Sequence, residues 1–351
     1  MAVSVAPQSI PGPGHRSRIF VDMLRVLGLF AGLALLILAG LMSLRFGSLE
    51  LSTRDAWNAI FHYNPDVYEQ TIVRQMRVPR TVIALVVGGS LAVAGTIMQG
   101  VTRNPLAGPS ILGVSSGASF GVAIAVYSLG LTNNNQYVWF AFAGAMLASI
   151  VVFIIGSAGG GGATPVKLAL AGVVISALLG SWTSALLLLS QETMDNMRFW
   201  VVGSVAGRSL DVLKGVLPFI IPCLIVSMFL GHQLNVLSMG DENARALGMN
   251  TSRVRLISSL IVVLLTGAAV SVAGPIGFVG LATPHIARAI VGADYRWVLP
   301  YSFLTGSLLL TTADILGRVV TRPSELQVGI VMAFVGAPFL IYLARKRTMA
   351  N

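Results

Sequence analysis

The sequence predicts an all-α integral membrane protein with about ten transmembrane helices. Of its 351 residues, 55% are hydrophobic and only 10% are charged, whereas a soluble domain is usually about 25% charged. The apolar runs are continuous and do not alternate with polar residues, which is typical of membrane helices and not of β-barrels. Because a bilayer-spanning helix takes roughly 20 apolar residues, about ten of them fit in this length.

The apolar runs follow one another with short polar connections. No small-residue cleavage site follows the first run, so we expect a retained helix and no cleaved signal peptide. Residues 1–20 are expected to form a disordered cytoplasmic tail, and residues 21–347 a single transmembrane domain. Gly274 and Pro275 interrupt one long run, which is either two spans or one broken helix. The runs lie near residues 21–44, 80–100, 112–131, 139–157, 168–190, 214–231, 256–275, 277–291, 298–317 and 328–344.

The positive charge follows the pattern of a membrane protein. A net charge of +10 would suggest nucleic-acid binding in a soluble chain, but here we attribute it to the positive-inside rule. With the N-terminus inside, the inner segments hold thirteen basic and four acidic residues, a balance of +9. The outer segments hold ten and eight, a balance of +2. This asymmetry predicts both termini in the cytoplasm and an even number of spans.

Signatures of catalysis are missing. No glycine-rich phosphate loop is present, the four histidines lack metal-ligand spacing, and no nucleophile–base pattern is visible. We therefore expect a transport subunit and not an enzyme, with no cofactor and no metal in this chain. The single cysteine, Cys223, cannot form an internal disulfide.

Acidic residues are almost absent from the spans. Asp314 is the clear exception, and Arg318 lies four positions later, where both side chains share one helix face and can pair. Ion- and proton-coupled carriers usually need acidic or histidine side chains within their spans. Their scarcity favours a transporter whose energy comes from outside this chain and not from an ion gradient. An ion-coupled secondary carrier stays open as another class of function.

A short polar island, Ser238–Gly248, separates two apolar runs. Asp241 and Glu242 are placed to open a short helix, and Gly248 sits where a helix C-cap falls. A charged and well-capped helix at this place indicates a surface on which a soluble partner docks.

Several motifs occur in a fixed order and resemble the permease family of bacterial ABC importers for iron-siderophores, haem and cobalamin (FecCD/BtuC-like). The resemblance covers roughly residues 20 to 347. It rests on Arg77-Val-Pro-Arg80, Asn104-Pro-Leu-Ala-Gly-Pro109, Leu112-Gly-Val-Ser-Ser-Gly117, Leu170-Ala-Gly-Val173, Gly240–Gly248, Ala273–Leu281, Pro284-His-Ile-Ala-Arg288, Ala313-Asp314, Glu325–Val331 and Gly336-Ala-Pro338.

The resemblance implies a BtuC-like type II ABC importer permease fold and a larger assembly. Two permease subunits, identical or paralogous, would form the pore in the bacterial cytoplasmic (inner) membrane. Two ATPase subunits would bind ATP and Mg below, and an extracytoplasmic substrate-binding protein would dock above.

The resemblance also implies roles for individual residues. ATPase coupling is assigned to Gly240, Asp241, Glu242, Asn243, Ala244, Arg245, Ala246, Leu247 and Gly248. Binding-protein docking is assigned to Arg77, Arg80 and Arg318, although Arg318 cannot form a bidentate contact with both Asp314 and a partner carboxylate. A cytoplasmic gate is assigned to Thr164 and Pro165, where this sequence departs from the family by a run of four glycines. Helix packing or the pore is assigned to Gly329, Ala333 and Ala337.

The cargo that the resemblance favours is a ferric siderophore. Residues 322–329 and 340–347 are more similar to siderophore permeases than to cobalamin permeases. Haem and cobalamin remain alternatives within the family, and a membrane scaffold that transports nothing is a third class.

Overall fold

The computed structural model describes residues 15–159 and 164–348, and over these ranges the chain is helical with no β-strand. Seven helices are long and apolar enough to cross a membrane, and three shorter apolar helices accompany them. Together they match the ten predicted runs, which confirms the predicted fold class. The apolar helices are α1 (His15–Arg45), α4 (Val78–Thr102), α5 (Val114–Leu129), α6 (Asn134–Ser157), α7 (Pro165–Leu189), α9 (Leu210–Phe229), α12 (Thr251–Ala273), α13 (Val279–Val291), α14 (Tyr295–Val319) and α15 (Val328–Thr348).

Short helices fill the polar connections at either end of the bundle. One end carries α2 (Thr53–Phe61), α3 (Tyr68–Ile72) and α8 (Gln191–Val202), and the other end carries α10 (Gly231–Ser238) and α11 (Asp241–Ala246). A π-helical turn, Val73–Arg77, leads directly into α4, and a 3₁₀ turn, Pro109–Leu112, precedes α5. These two ends are called the outer and inner ends below, following the charge-based topology.

Two boundaries differ from or refine the expectation. The first helix begins at His15, so residues 15–20 are helical and not part of a tail; residues 1–14 lie outside the described part of the chain. The ambiguous run around Gly274 is two helices, since α12 ends at Ala273 and α13 begins at Val279. Gly274 has φ +73°, and a Cβ there would lie 2.2 Å from the carbonyl oxygen of Trp200. This break therefore requires glycine both for its dihedral angle and for close packing.

The centre of the bundle is α4, which is buried along most of its length and packs against α12, α13 and α14. Small residues allow these helices to approach closely. A Cβ on Gly95 would lie 1.8 Å from the carbonyl oxygen of Gly280 in α13, so no larger residue fits without moving the backbone. The peripheral helices α1 and α7 leave most of their apolar side chains exposed, which suits contact with lipid or with a second membrane subunit.

Candidate functional site

The outer end of the bundle contains an ion network around Asp314 in α14. Arg80, in the first turn of α4, donates from Nε at 2.9 Å and from Nη2 at 2.8 Å to the Asp314 carboxylate, and from Nη1 to Glu325. Arg318 lies 3.1 Å from the other oxygen of Asp314, which confirms the predicted pairing within α14. Arg80 is a second partner of the same carboxylate, and this contact was not predicted from the sequence.

Arg318 and Arg77 are also bound by groups of the first helix. Arg318 donates to the carbonyl oxygen of Ser43 at 3.0 Å and to its hydroxyl at 2.6 Å. Arg77 donates to the carbonyl oxygens of Leu44 and Arg45 at the end of α1 and to that of Leu49. A cation at a helix C-terminus satisfies carbonyls that have no partner in the helix and is favoured by the helix dipole. The arginines therefore join α1, α4 and α14 at the outer end.

The docking role predicted for Arg77, Arg80 and Arg318 stays a prediction, but the structure gives these side chains another role. They are only 5%, 9% and 1% exposed, and each donates hydrogen bonds to groups within the subunit. Arg318, which cannot bind both Asp314 and a partner carboxylate bidentately, binds Asp314 and Ser43 in this structure. Direct contact with a partner carboxylate would require these residues to leave their present positions.

Glu325 forms the solvent-facing edge of this network, in the connection between α14 and α15. Burial alone would raise the pKa of its carboxyl group, but hydrogen bonds from Arg80 and Ser48 and the charges of Arg80 and Arg318 outweigh it. The pKa of Glu325 therefore lies below its ordinary value. Its carboxylate remains charged and binds Arg80 through Nη1, while Asp314 binds Nε and Nη2 of the same side chain.

Two adjoining cavities open at the outer end and share Arg80 and Glu325 in their walls. One has a volume of about 410 Å³ and is lined by α8 and the segment that follows it. The other has a volume of about 330 Å³ and is lined by the connection after α1 together with Arg77 and Arg318. Neither Trp200 nor Arg208, which line the first cavity, was a candidate from the sequence. No local motif marks them, because the fold alone brings them together.

At the inner end, the polar island forms the short helix α11 as predicted. It begins at Asp241, and the backbone N–H of Gly248 donates to the carbonyl oxygen of Arg245 at 2.8 Å. Gly248 has φ +81°, so it supplies the left-handed residue that ends many helices. Ala244 is buried beneath the helix, while Glu242 and Arg245 are exposed. The helix therefore exposes charged side chains to a partner while Ala244 packs it against the bundle.

Asp241 fixes this helix to the membrane bundle. Its carboxylate accepts two hydrogen bonds from Arg255 Nη2 of α12, at 2.7 and 2.8 Å. Arg103, directly after α4, approaches the same carboxylate at 3.3 Å. One acid on α11 is thus tied to α12 and to the end of the central helix α4, which gives a continuous physical link from the exposed helix to the core.

A second inner contact joins α10 to α14. Asp294 caps α14 and accepts a hydrogen bond from Asn235 Nδ2 at 2.6 Å. Hydrogen bonds from Arg296 are the largest cause of a lowered pKa of Asp294; burial opposes them and Asn235 reinforces them, so that the pKa falls from 3.8 to about 2. Asp294 therefore carries its charge throughout the physiological range.

The predicted gate residues and the residues predicted to serve helix packing or the pore occupy different environments. Thr164 accepts a hydrogen bond from the backbone N–H of Lys167 and so caps α7, and Pro165 is its first residue; residues 160–163 lie outside the described part of the chain. On α15, a Cβ at Gly329 would lie 1.9 Å from the carbonyl oxygen of Val202, whereas Ala333 and Ala337 are exposed. Gly329 thus serves packing within the subunit, while the gate and pore roles stay predictions.

Within the described ranges, no three histidine, cysteine, aspartate or glutamate side chains are grouped closely enough to hold a metal ion. The polar chemistry described so far is instead ion pairing and hydrogen bonding at the two ends of an apolar bundle. Such an arrangement can position helices and partner surfaces.

Comparisons with known proteins agree with this architecture. The chain is 45% identical over 322 residues to the iron(3+)-hydroxamate import system permease protein FhuB of Bacillus subtilis, covering 92% of this chain and 83% of FhuB. It is 44% identical over 319 residues to the ferric enterobactin transport system permease protein FepD of Escherichia coli, covering 90% and 94% of the two chains.

A solved structure has the same fold, with a TM-score of 0.80 and 29% identity over 91% of this chain and 98% of the other. It is an inward-facing conformation of a transporter assigned to the metal-chelate type of ABC transporter. The FecCD transport family model matches residues 35–346, which include the outer ion network, both outer cavities and the inner helix α11. The chain therefore belongs to the FecCD transport family, whose members are permease subunits of ABC transporters.

Proposed function

We propose that this chain is the permease subunit of an ATP-driven importer that moves a ferric siderophore into the cytoplasm. The observation that carries the proposal is the similarity, over about nine-tenths of this chain, to permeases named for ferric hydroxamate and ferric enterobactin. Two permease subunits would enclose the pathway, with two ATPase subunits at the inner end and a substrate-binding protein at the outer end. The proposed location is a bacterial cytoplasmic membrane, with both termini inside.

The geometry of the inner end supports energy coupling through α11. Glu242 and Arg245 are exposed on this helix, and Leu247 is 65% exposed directly after it. A soluble partner therefore has both charged and apolar contacts available. Because Asp241 is bound to Arg255 and approached by Arg103, displacement of α11 would be passed to α12 and α4. ATP and Mg would act in the partner, and this chain would supply the moving helices.

The test is uptake by proteoliposomes that contain the complete complex, with ATP enclosed and the cognate binding protein outside. Radioactive ferric hydroxamate, ferric catecholate, haem and cobalamin would be supplied one at a time. We expect ATP-dependent accumulation of a ferric siderophore. Accumulation of haem or cobalamin alone would keep the mechanism and reject the cargo. Uptake that follows a proton or sodium gradient and ignores ATP would reject the importer itself.

The role of α11 in energy coupling is tested by the variant Glu242→Lys. Its side chain is exposed, so the charge reversal should leave the fold intact while it disturbs the partner surface. We expect ATP-driven uptake to fall strongly with no loss of thermal stability. Asn250→Asp introduces an exposed charge nearby but preserves a side chain that can cap α12, and it is expected to transport normally.

A further inference from the structure

The larger outer cavity has a wall of hydrogen-bond donors. It has a volume of about 410 Å³, and its lining includes Arg80, Tyr137, Asn196, Trp200, Arg208 and Glu325. This size falls in the range of small-molecule sites, which combine aromatic walls with a few placed polar groups. A purely inert conduit would not require an arginine, a tryptophan and an asparagine on one wall.

Two donors in this wall have no partner among the described residues. Trp200 is 1% exposed, yet its indole Nε1 makes no hydrogen bond. Arg208 donates from Nη1 to the Tyr137 hydroxyl at 2.9 Å, while its Nε, also shielded from solvent, has no acceptor. Buried indole and guanidinium donors nearly always have an acceptor. An acceptor from outside the chain would satisfy both donors, and it would reach these shielded atoms only after the Trp200 and Arg208 side chains shift.

The charge of the wall indicates the kind of acceptor. Glu325 is the acidic residue in the lining, and its carboxylate is occupied by Arg80. Arg80 is in turn shared between Glu325 and Asp314. Arg208 occurs in none of the ion pairs of the described residues. The lining therefore holds two arginines and one carboxylate, a surplus of positive charge. Guanidinium groups favour carboxylates and other anionic oxygens over neutral acceptors.

We propose that this outer cavity is a subsite for an anionic oxygen-donor arm of the metal chelate, with Arg208 and Trp200 Nε1 as its hydrogen-bond donors. The inference rests on the proposed function and adds to it a determinant of specificity within the permease. The site holds part of the chelate at the outer mouth. The same anionic chemistry could instead come from an acidic side chain of the binding protein, and the experiment below separates these two sources.

The experiment compares three variants in the complete complex with its binding protein, in proteoliposomes that contain ATP. Arg208→Gln removes the charge but retains an amide donor, and Trp200→Phe removes only the indole N–H and retains an aromatic ring. Arg198→Gln is the matched control, because Arg198 lies on α8, is exposed, pairs with Asp195 and does not line the cavity. The chelates are an anionic ferric tris-catecholate and an electrically neutral ferric tris-hydroxamate.

We expect Arg208→Gln and Trp200→Phe each to raise KM for the anionic chelate about tenfold, the effect of losing one hydrogen bond to a charged group. Vmax should change little, and Arg208→Gln should affect the neutral chelate less than the anionic one. Arg198→Gln should behave as wild type. If Trp200→Phe fails to assemble, the ratio of the two KM values in Arg208→Gln still decides the proposal.

Three results would overturn this subsite. KM values in Arg208→Gln equal to those in Arg198→Gln would show that the cavity does not contact the chelate. Weaker binding of the chelate-free binding protein to Arg208→Gln complexes in nanodiscs would assign the donors to docking. A wild-type complex that accumulates neither iron chelate would reject the proposed function together with the subsite, whereas active wild type with unaffected variants rejects the subsite alone.

Discussion

At the scale of single residues, the outer end of the bundle is organised by one buried carboxylate. Asp314 is 1% exposed and lies between the guanidinium groups of Arg80 and Arg318. Charges buried this deeply are retained only when they are paired and their hydrogen bonds are satisfied. Ser43 and Glu325 complete the arrangement by binding Arg318 and Arg80. Three helices therefore depend on a single acidic side chain.

Removal of this carboxylate is expected to destabilise the protein. Asp314→Asn would leave Arg80 and Arg318 close together without the shared counter-charge, at a cost of about 3–5 kcal/mol. Thermal unfolding in detergent would show a lower Tm. Asp211→Asn is the matched control, because Asp211 is exposed and pairs with Lys214 at the surface, where such pairs contribute about 1 kcal/mol or less. Equal Tm values for the two variants would contradict the role of Asp314.

The Asp294 cap predicts a pH dependence. The folded-state pKa of about 2 is below the ordinary value of 3.8, so the charged carboxylate stabilises the fold. This contribution is fully present above the ordinary pKa and is lost as pH falls through the folded value. The difference in Tm between wild type and Asp294→Asn should therefore be constant above about pH 4 and shrink towards pH 2.

Arg296 supplies the control for this prediction, since its hydrogen bonds are the largest cause of the lowered pKa of Asp294. In an Arg296→Gln background, the effect of Asp294→Asn should be smaller and less dependent on pH. A Tm difference in the original background that stays constant down to pH 2 would show that the charge of Asp294 does not stabilise the fold.

At the scale of secondary-structure elements, local patterns predicted most of what the structure contains. The charged opening of α11, its terminal Gly248 and the pairing of Asp314 with Arg318 all follow from positions within about one helical turn. The bond between Arg80 and Asp314 joins residues 234 positions apart. No local pattern encodes such a contact, and this is why the binding of Arg80 within the subunit could not be predicted from the sequence.

The attachment of α11 is testable by charge exchange. Asp241→Arg would place three cationic side chains together, since Arg255 and Arg103 both bind this carboxylate. We expect the single variant to lose most of its ATP-driven uptake. Combining it with Arg255→Asp restores the ion pair in reverse, so uptake should recover in part. The measurement is uptake per ATP hydrolysed in proteoliposomes.

The control for this exchange is Arg253→Asp, which reverses an exposed charge at the start of the same helix α12. Because Arg253 makes no ion pair with Asp241 among those of the described residues, it should not rescue Asp241→Arg. Rescue by both partners would indicate a general effect of net charge and would remove the specific role of the Asp241–Arg255 pair.

At the scale of the whole molecule, the features most predictable from the sequence are those that the lipid bilayer imposes. Continuous apolar runs predicted the ten apolar helices of the described residues, seven of them long enough to cross a membrane, because an exposed backbone cannot be satisfied in lipid. The Gly274–Pro275 break was visible but ambiguous, since the choice between one helix and two depends on the carbonyl of Trp200 packed against Gly274. The outer cavity was not predictable either, because Tyr137, Trp200 and Glu325 belong to separate connections and helices.

Orientation across the membrane is the last consequence of the charge pattern. The excess of basic residues at the inner end predicts that α11 faces the cytoplasm and α8 faces outward. Cys223 is the single cysteine of the chain and is buried, so Cys223→Ala gives a background free of thiols. In that background, Asp195→Cys on α8 should react with a membrane-impermeant maleimide added to intact spheroplasts. Ser252→Cys, exposed at the inner start of α12, should react only after permeabilisation, and the parent Cys223→Ala should not react at all. The opposite labelling pattern would invert the topology and would place the proposed ATPase-docking helix on the wrong side of the membrane.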